Sequence, residues 1–145
     1  VINRASLSTL KKKLRRIFNA YIRLRDTDEN GVGKCISCNR TIVYGGDCQA
    51  GHYEPSSIVF ANLDFDEINV NGQCIHCNFT LEGNKTGYTV GLIRKYGAGV
   101  LDQLKIKRRL GCHWVAFEYE VLIGSYRAKA KALAKTKMFE VGKLS

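Results

Sequence analysis

Two Cys-x-x-Cys pairs, Cys35 with Cys38 and Cys74 with Cys77, constrain this chain more than any other feature of its sequence. A pair two residues apart turns both sulfurs toward one ion, and two such knuckles complete a tetrahedral thiolate set for Zn²⁺. The 35 residues between the pairs exceed what a simple zinc ribbon needs, so further structure is inserted between the knuckles. A redox pair of the thioredoxin kind needs only one Cys-x-x-Cys, and a disulfide framework belongs to oxidising compartments. No stretch approaches the roughly 20 apolar residues of a membrane helix, and the basic N-terminal region has no apolar signal core. The expectation is a soluble, cytoplasmic protein that makes no membrane contact. The chain begins with Val1 and not methionine, as a processed or trimmed chain would. Cys48 and Cys112 are expected as small buried hydrophobes, and His76 as exposed on the second knuckle.

The formal net charge of +10 is unevenly placed. Residues 1–30 hold eight Lys/Arg against three Asp/Glu, residues 31–92 three against six, and residues 93–145 twelve against four. A basic clamp around a mildly acidic centre suits a polyanion, with the flanks on phosphates and the centre free to accept cations. The plainer account is that helix-borne lysines keep the protein soluble. Lys12, Arg16, Arg23, Arg25, Arg108, Arg109, Lys131 and Lys135 are the expected phosphate contacts. Contacts of that kind position DNA without reading its sequence.

At 145 residues the chain suits one compact domain with arms. Leu7, Leu10, Leu14, Ile17, Tyr21 and Leu24 fall in alternating steps of three and four and predict an amphipathic helix, capped by Ser6 or Ser8. Its seam suits packing on its own domain, or a dimer contact. Residues 26–35 read as a loop, 41–44 and 48–53 as strands, and 54–71 as a long loop. Past Cys74 the pattern is helical, with Tyr88, Leu92 and Tyr96 on one stripe. Residues 100–110 form a short basic helix that Gly111 ends. A long helix over 113–138 buries Val115, Tyr119, Leu122, Tyr126, Ala130 and Leu133. Tyr21, Tyr53 and Tyr88 are expected in the core and not on nucleic-acid bases.

His52 lies between the knuckles, Asn69 stands five residues before Cys74, and Asn78 directly follows Cys77. A His, then an Asn, then an Asn or His beside a Cys-x-x-Cys is the order of the HNH nucleases, in which a ββα unit surrounds one divalent metal. A histidine that titrates near neutrality can take a proton from water, a neutral amide can fix its ring, and a hard-cation ligand can hold a metal against a phosphate.

The segments YIRLRD (21–26), KCISCNR, AGHY, NVNGQCIHCN, Gly83–Asn84 and YTVGLI resemble the phage NinG or Rap recombination-nuclease family over residues 18–97. The knuckle layout also resembles that of the endonuclease VII junction-cleaving enzymes. The resemblance implies a helix-rich α+β fold. Its ββα-metal (HNH, or His-Me finger) core with a four-cysteine zinc site would span 31–97, between basic helical regions at 1–30 and 98–145. It implies a metal-dependent endonuclease acting on branched recombination intermediates such as Holliday junctions and displacement loops, in the cytoplasm of a bacterial host. Structural zinc would sit on Cys35, Cys38, Cys74 and Cys77. His52 would be the general base, Asn69 its orienter and Asn78 the ligand of a catalytic Mg²⁺ or Mn²⁺.

Symmetric cutting of a junction implies a homodimer, and other recombination proteins are expected partners. One departure stands out: many HNH enzymes carry a metal-binding aspartate immediately before the base, where this chain has Gly51. Glu82, four residues beyond Asn78 if that helix persists, and Asp47 are candidates to replace it. Two other readings are a non-catalytic zinc module that binds nucleic acid, and an HNH enzyme that reads a duplex sequence.

Overall fold

The structure is a computed structural model that describes residues 5–55 and 61–144. Ile58, Val59 and Phe60, within the expected long loop, lie outside the described residues, as do residues 1–4 of the first basic segment. The seam on the first helix forms as its spacing predicts. Helix α1 spans Leu7–Arg25, and its Ser6 cap accepts from the Thr9 amide at 3.2 Å.

Two small antiparallel sheets follow. Strands β1 (Val32–Lys34) and β2 (Thr41–Val43) pair in the register Val32↔Val43, and the first knuckle is the turn between them. Strands β3 (Cys48–His52) and β4 (Val70–Cys74) pair from Cys48↔Cys74 to His52↔Val70. The expected loop at 54–71 contains a short helix, α2 (Ala61–Asp64), and gives way to β4. After Cys74 the chain makes a π-helical turn, His76–Thr80, then α3 (Lys85–Tyr96), α4 (Val100–Leu110) and α5 (Ala116–Ala134).

Helix α5 starts later and ends earlier than its sequence pattern suggests. Val115 is exposed and serves as the cap, its amide donating to Glu118 Oε2 at 2.7 Å, while Lys137 turns back to donate to the carbonyl of Leu24. Basic side chains at a helix C-terminus satisfy carbonyls the helix leaves unpaired.

One cluster joins Leu10, Leu14, Ile17 and Phe18 of α1 to Phe65, Val70 and, from α5, Tyr119, Ile123 and Tyr126. From Leu10 onward the α1 seam is therefore covered by the same chain, while Leu7 is exposed. Phe18 meets Phe65 and Tyr126 edge to face at 5.7 and 4.8 Å. A second cluster holds Leu63, Tyr88, Leu92, Val100 and Leu104.

The C-terminal end of α1 is tied to both clusters by a buried polar network. Arg25 donates to both carboxylate oxygens of Asp26 at 2.7 and 2.8 Å, and to the carbonyls of Glu67 and Val70. Asp26 also accepts from the Gly72 amide at 2.7 Å and from Lys95 at 3.0 Å. Burial alone would raise the Asp26 carboxyl, but Arg25, Lys95 and the Gly72 amide outweigh it and hold it below the ordinary carboxylate value. Among the described residues no helix is long and apolar enough to cross a membrane.

Candidate active site and metal centre

The β3–β4 register explains how two knuckles far apart in sequence meet. Cys74 ends β4, and the first knuckle is drawn to the same strand by the Ile36 amide, which donates to the Gly72 carbonyl at 2.9 Å. The four sulfurs of Cys35, Cys38, Cys74 and Cys77 lie within 4.8 Å of one another, and those of Cys38 and Cys74 are 3.8 Å apart. Thiolates at about 2.3 Å from a tetrahedral Zn²⁺ stand about 3.8 Å from each other, so the cluster fits such an ion. The surroundings suit thiolates as well. The amides of Cys74 and Cys77 donate to the sulfurs of Cys35 and Cys74 at 3.3 and 3.4 Å, and Asn84 Nδ2 donates to Cys77 at 3.3 Å. Four cysteines can thus hold a metal ion such as Zn²⁺, and Asn84 couples the start of α3 to it. Cys48 is buried beside the cluster, as expected of a small hydrophobe, and Cys112 is only half-buried.

His52 closes β3. Its Nε2 is 3.0 Å from the Asp64 carbonyl oxygen. A carbonyl only accepts, so Nε2 carries the proton and the neutral ring keeps its lone pair on Nδ1. Burial pushes the imidazole below its ordinary value near 6.5, which the Asp64 carbonyl only partly offsets.

Asn69 is fully buried and acts differently from the direct contact expected of an orienter. Its Oδ1 accepts from the Glu54 amide at 2.8 Å, and its Nδ2 donates to the carbonyls of Leu63 and Glu54 at 2.9 and 3.1 Å. It clips together the two ends of the segment between β3 and β4, and so fixes the carbonyl of the next residue, Asp64, on which the ring rests. Asn78, on the π turn, donates to Gln49 Oε1 at 2.8 Å and thereby reaches β3 three residues before His52.

Gly51 is bare for a steric reason. A Cβ at Gly51 would overlap the side-chain oxygen of Gln73, which is fully buried and itself donates to Ser37 Oγ and the Gly83 carbonyl at 2.7 Å each. The space an aspartate would use is filled from the neighbouring strand. The Gln73 oxygen there has no hydrogen-bond partner.

Neither candidate for that aspartate's role is among the residues that line the hollow beside Asn78. The helix does not persist, since Leu81 caps the π turn and Glu82 has φ +50° in an exposed left-handed turn, so Glu82 is off the face of Asn78. Asp47 instead accepts from the Val43 amide at 3.0 Å and closes the turn after β2. His76 is exposed, as expected.

Beside Gln49 and Asn78 lies a hollow of about 490 Å³, shared with Asn19 and Arg23 of α1. The Asn19 side-chain oxygen is buried without a partner. The hollow's described lining offers neutral amide oxygens and no carboxylate. A hard cation placed there would lack the one or two carboxylates that usually hold Mg²⁺, and a substrate phosphate would have to supply the negative charge. From Asn19 and Arg23 a groove continues along α1 past Lys12, Arg15 and Arg16.

Sequence reasoning placed Lys12, Arg16 and Arg23 on this helix, and all three line that groove. Arg25 is a correction: its guanidinium is taken up by Asp26, Glu67, Val70 and Asn71 and holds the fold together. Arg108 donates to Glu54 Oε2 at 3.2 Å, and Arg109, Lys131 and Lys135 are exposed on or just past α4 and α5. The three tyrosines are packing residues. Tyr88 is fully buried, with its hydroxyl donating to the Gly51 carbonyl at 2.7 Å, while Tyr53 packs on Tyr88 and Tyr21 on Phe18 and Tyr126. Gln49, Gln73, Asn19 and Asp64 escaped the sequence reading, because isolated amides and one acid among several carry no spacing signal.

The sequence profile of the family described as "Bacteriophage Lambda NinG protein" matches residues 3–137. Among curated relatives, "Protein ninG" of Salmonella phage P22 is 32% identical over 122 residues, covering 84% of this chain and 56% of the relative. "Protein ninG" of Escherichia phage 933W is 31% identical over 126 residues, and that of Escherichia phage lambda 30%. Each of these two matches covers 87% of this chain, and 59% and 58% of the relative. The chain thus spans little more than half the length of the curated relatives it matches. No solved structure matches it.

Proposed function

This chain belongs to the NinG family of bacteriophage proteins, and on that premise we propose that it is a metal-dependent DNA endonuclease of the HNH type, directed to branched DNA. One observation carries the reading: His52 ends a strand with Nε2 pinned to the Asp64 carbonyl, so the neutral ring keeps a proton-accepting Nδ1, and Arg15, which lines the basic groove, lies within electrostatic reach of that ring. β3, β4 and the π turn supply the order strand, strand, helical turn that an HNH unit requires.

In this mechanism, water attacks phosphorus as His52 Nδ1 takes its proton. A new P–O bond forms, and the bond to the 3′ oxygen breaks. The chemistry that a Mg²⁺ or Mn²⁺ ion supplies when bound is stabilisation of the charge on that departing oxygen. Asn78 and Gln49 would hold it with neutral oxygens, and Arg23 would orient the phosphate. Zn²⁺ on the four cysteines would hold the two turns that carry these groups, and Asn69 would keep the Asp64 carbonyl under the imidazole.

Contacts from α1 to phosphates suit recognition of branch shape over a base string. A homodimer that cuts both strands of a junction would have to use a surface other than the α1 seam, which α5 covers. The work would be done in the host cytoplasm, alongside other recombination proteins.

The test is incubation of the protein and Mg²⁺ or Mn²⁺ with linear, forked and four-way DNAs of matched sequence. Preferential cutting of the forked and four-way forms is expected. Equal cutting of every topology at one sequence would replace the branch-directed reading with a sequence-reading one.

A further inference from the structure

We propose that the cavity between the first turns of α1 and the segment Cys112–Tyr119 takes one unpaired nucleotide of a DNA strand, its base against Trp114 and its phosphate on Lys11, Lys12 and Arg15. This rests on the DNA-binding part of the function proposed above, and adds a site to it.

The cavity measures about 420 Å³, within the range of pockets that enclose small ligands. Its wall is aromatic. Trp114 stacks on the buried Phe65, with ring centres 5.8 Å apart and planes 26° apart, and meets Tyr119 edge-on at 5.6 Å. The indole is therefore held in one orientation, yet it is only half-buried and lines the cavity. Aromatic side chains fixed in this way form stacking platforms for single-stranded bases, since every base has a π face.

The opposite wall is cationic. Lys11, Lys12 and Arg15 come from successive turns of α1, and His113 adds a ring donor. The acid that faces them is Asp64, whose Oδ2 is 3.2 Å from Lys11 Nζ and 3.5 Å from Arg15 Nη2. Among the described residues that line the cavity are these three cations and no carboxylate, so its wall is positive, as a phosphate requires.

Position also favours a nucleotide. Asp64 holds the two cations with its side chain and the His52 ring with its backbone carbonyl, so one residue separates the cavity from the proposed base. Lys12 and Arg15 line both this cavity and the groove that leads on to Arg23. From Lys12 to Arg23 the helix rises about 16 Å, about five steps of a strand at 3.4 Å. A strand lying along α1 would thus place a phosphate near the hollow at Asn78 while an unpaired base at its other end enters the cavity.

Trp114 is the sole tryptophan of the chain, so its fluorescence reports on this cavity alone. The experiment titrates the full chain, with no Mg²⁺ or Mn²⁺ added, with a ten-residue oligothymidylate, an abasic strand of equal length and a blunt duplex. The expected result is saturable quenching by oligothymidylate, and no quenching by the abasic strand or the duplex. The abasic strand should also bind roughly 5- to 160-fold more weakly, the span that one stacked base commonly accounts for.

Trp114→Phe keeps the packing on Phe65 and should retain most of the affinity, whereas Trp114→Ala should bind oligothymidylate as weakly as the native chain binds the abasic strand. Equal binding of oligothymidylate and the abasic strand, or saturable binding without quenching, overturns the proposal. If branched DNA is cut while Trp114 stays unquenched, only this cavity assignment fails. If Trp114 is quenched and no DNA is cut, the nuclease reading fails and the cavity stands.

Discussion

The imidazole of His52 donates through Nε2 to the backbone carbonyl of Asp64 at 3.0 Å, and that bond decides which nitrogen is left to accept a proton. Burial lowers the ring's proton affinity, with the ordinary value at 6.5. The ring is then neutral at pH 7, and the active form is lost only as pH falls through the lowered folded value. The acid limb of a cleavage profile should therefore lie below pH 6.5. The same shift affects stability: the unfolded chain takes up a proton below 6.5 that the folded chain resists, so stability declines as pH falls from there. A pH–rate profile in excess Mn²⁺ checks the first expectation, and an acid limb above 6.5 would contradict it.

Cys35→Ser should lower bound zinc and thermal stability together, because metal binding at such a site is coupled to folding. Cys48→Ala should keep the full zinc content, since Cys48 is buried beside the ligand set and outside it. Metal analysis of the purified variants with melting curves checks both. A zinc-free Cys35→Ser protein of unchanged stability would rule out a structural four-thiolate site.

Two neighbouring arginines on α1 should behave oppositely. Arg23 lines the groove, so Arg23→Ala should weaken DNA binding at little cost in stability and reduce the salt slope by about one. Arg25 is bound up with Asp26, Asn71 and two carbonyls, so Arg25→Ala should lower the melting temperature instead. Asp26→Asn should cost roughly 2–3 kcal/mol, less than a fully buried pair because Lys95 is about one-third exposed. The Asp26 contribution is present above the ordinary carboxylate value of 3.8 and is lost as pH falls through the lower folded value. Denaturant titrations at pH 7 and pH 3 test that sign.

Gly51→Ala should destabilise by about 1–3 kcal/mol, the range for overpacking a filled interior. Gly51→Asp, which would restore the acid common in HNH enzymes, should fail for the same reason, because the Gln73 amide occupies its place. Equilibrium unfolding of both variants measures this, and a stable, more active Gly51→Asp protein would show that Gln73 gives way.

The parts of this fold legible from sequence are those where one residue type repeats at a fixed spacing. The α1 seam and the paired knuckles are of that kind, and Leu10, Leu14, Ile17 and Cys35, Cys38, Cys74 and Cys77 came together as their spacing required. Strand β4 was hidden, because VNGQC is buried through contacts with β3, α1 and the first knuckle and shows no alternation of its own. Glu82 was misplaced for a local reason, as a left-handed residue after the π turn ended a helix that periodicity alone would continue. Arg25 could not be told from Arg23 by charge. Only the fold places Asp26 and Asn71 around one and leaves the other at the groove.

The most direct measurement is cleavage of a four-way DNA in Mn²⁺ by the native chain and by His52→Ala, at equal zinc content and with DNA binding measured in parallel. General bases of this kind contribute about 10²–10⁴-fold, so the account expects cleavage to fall by that much while binding and zinc content stay unchanged. Undiminished cleavage by His52→Ala, or none by the native chain under any divalent metal, would contradict it.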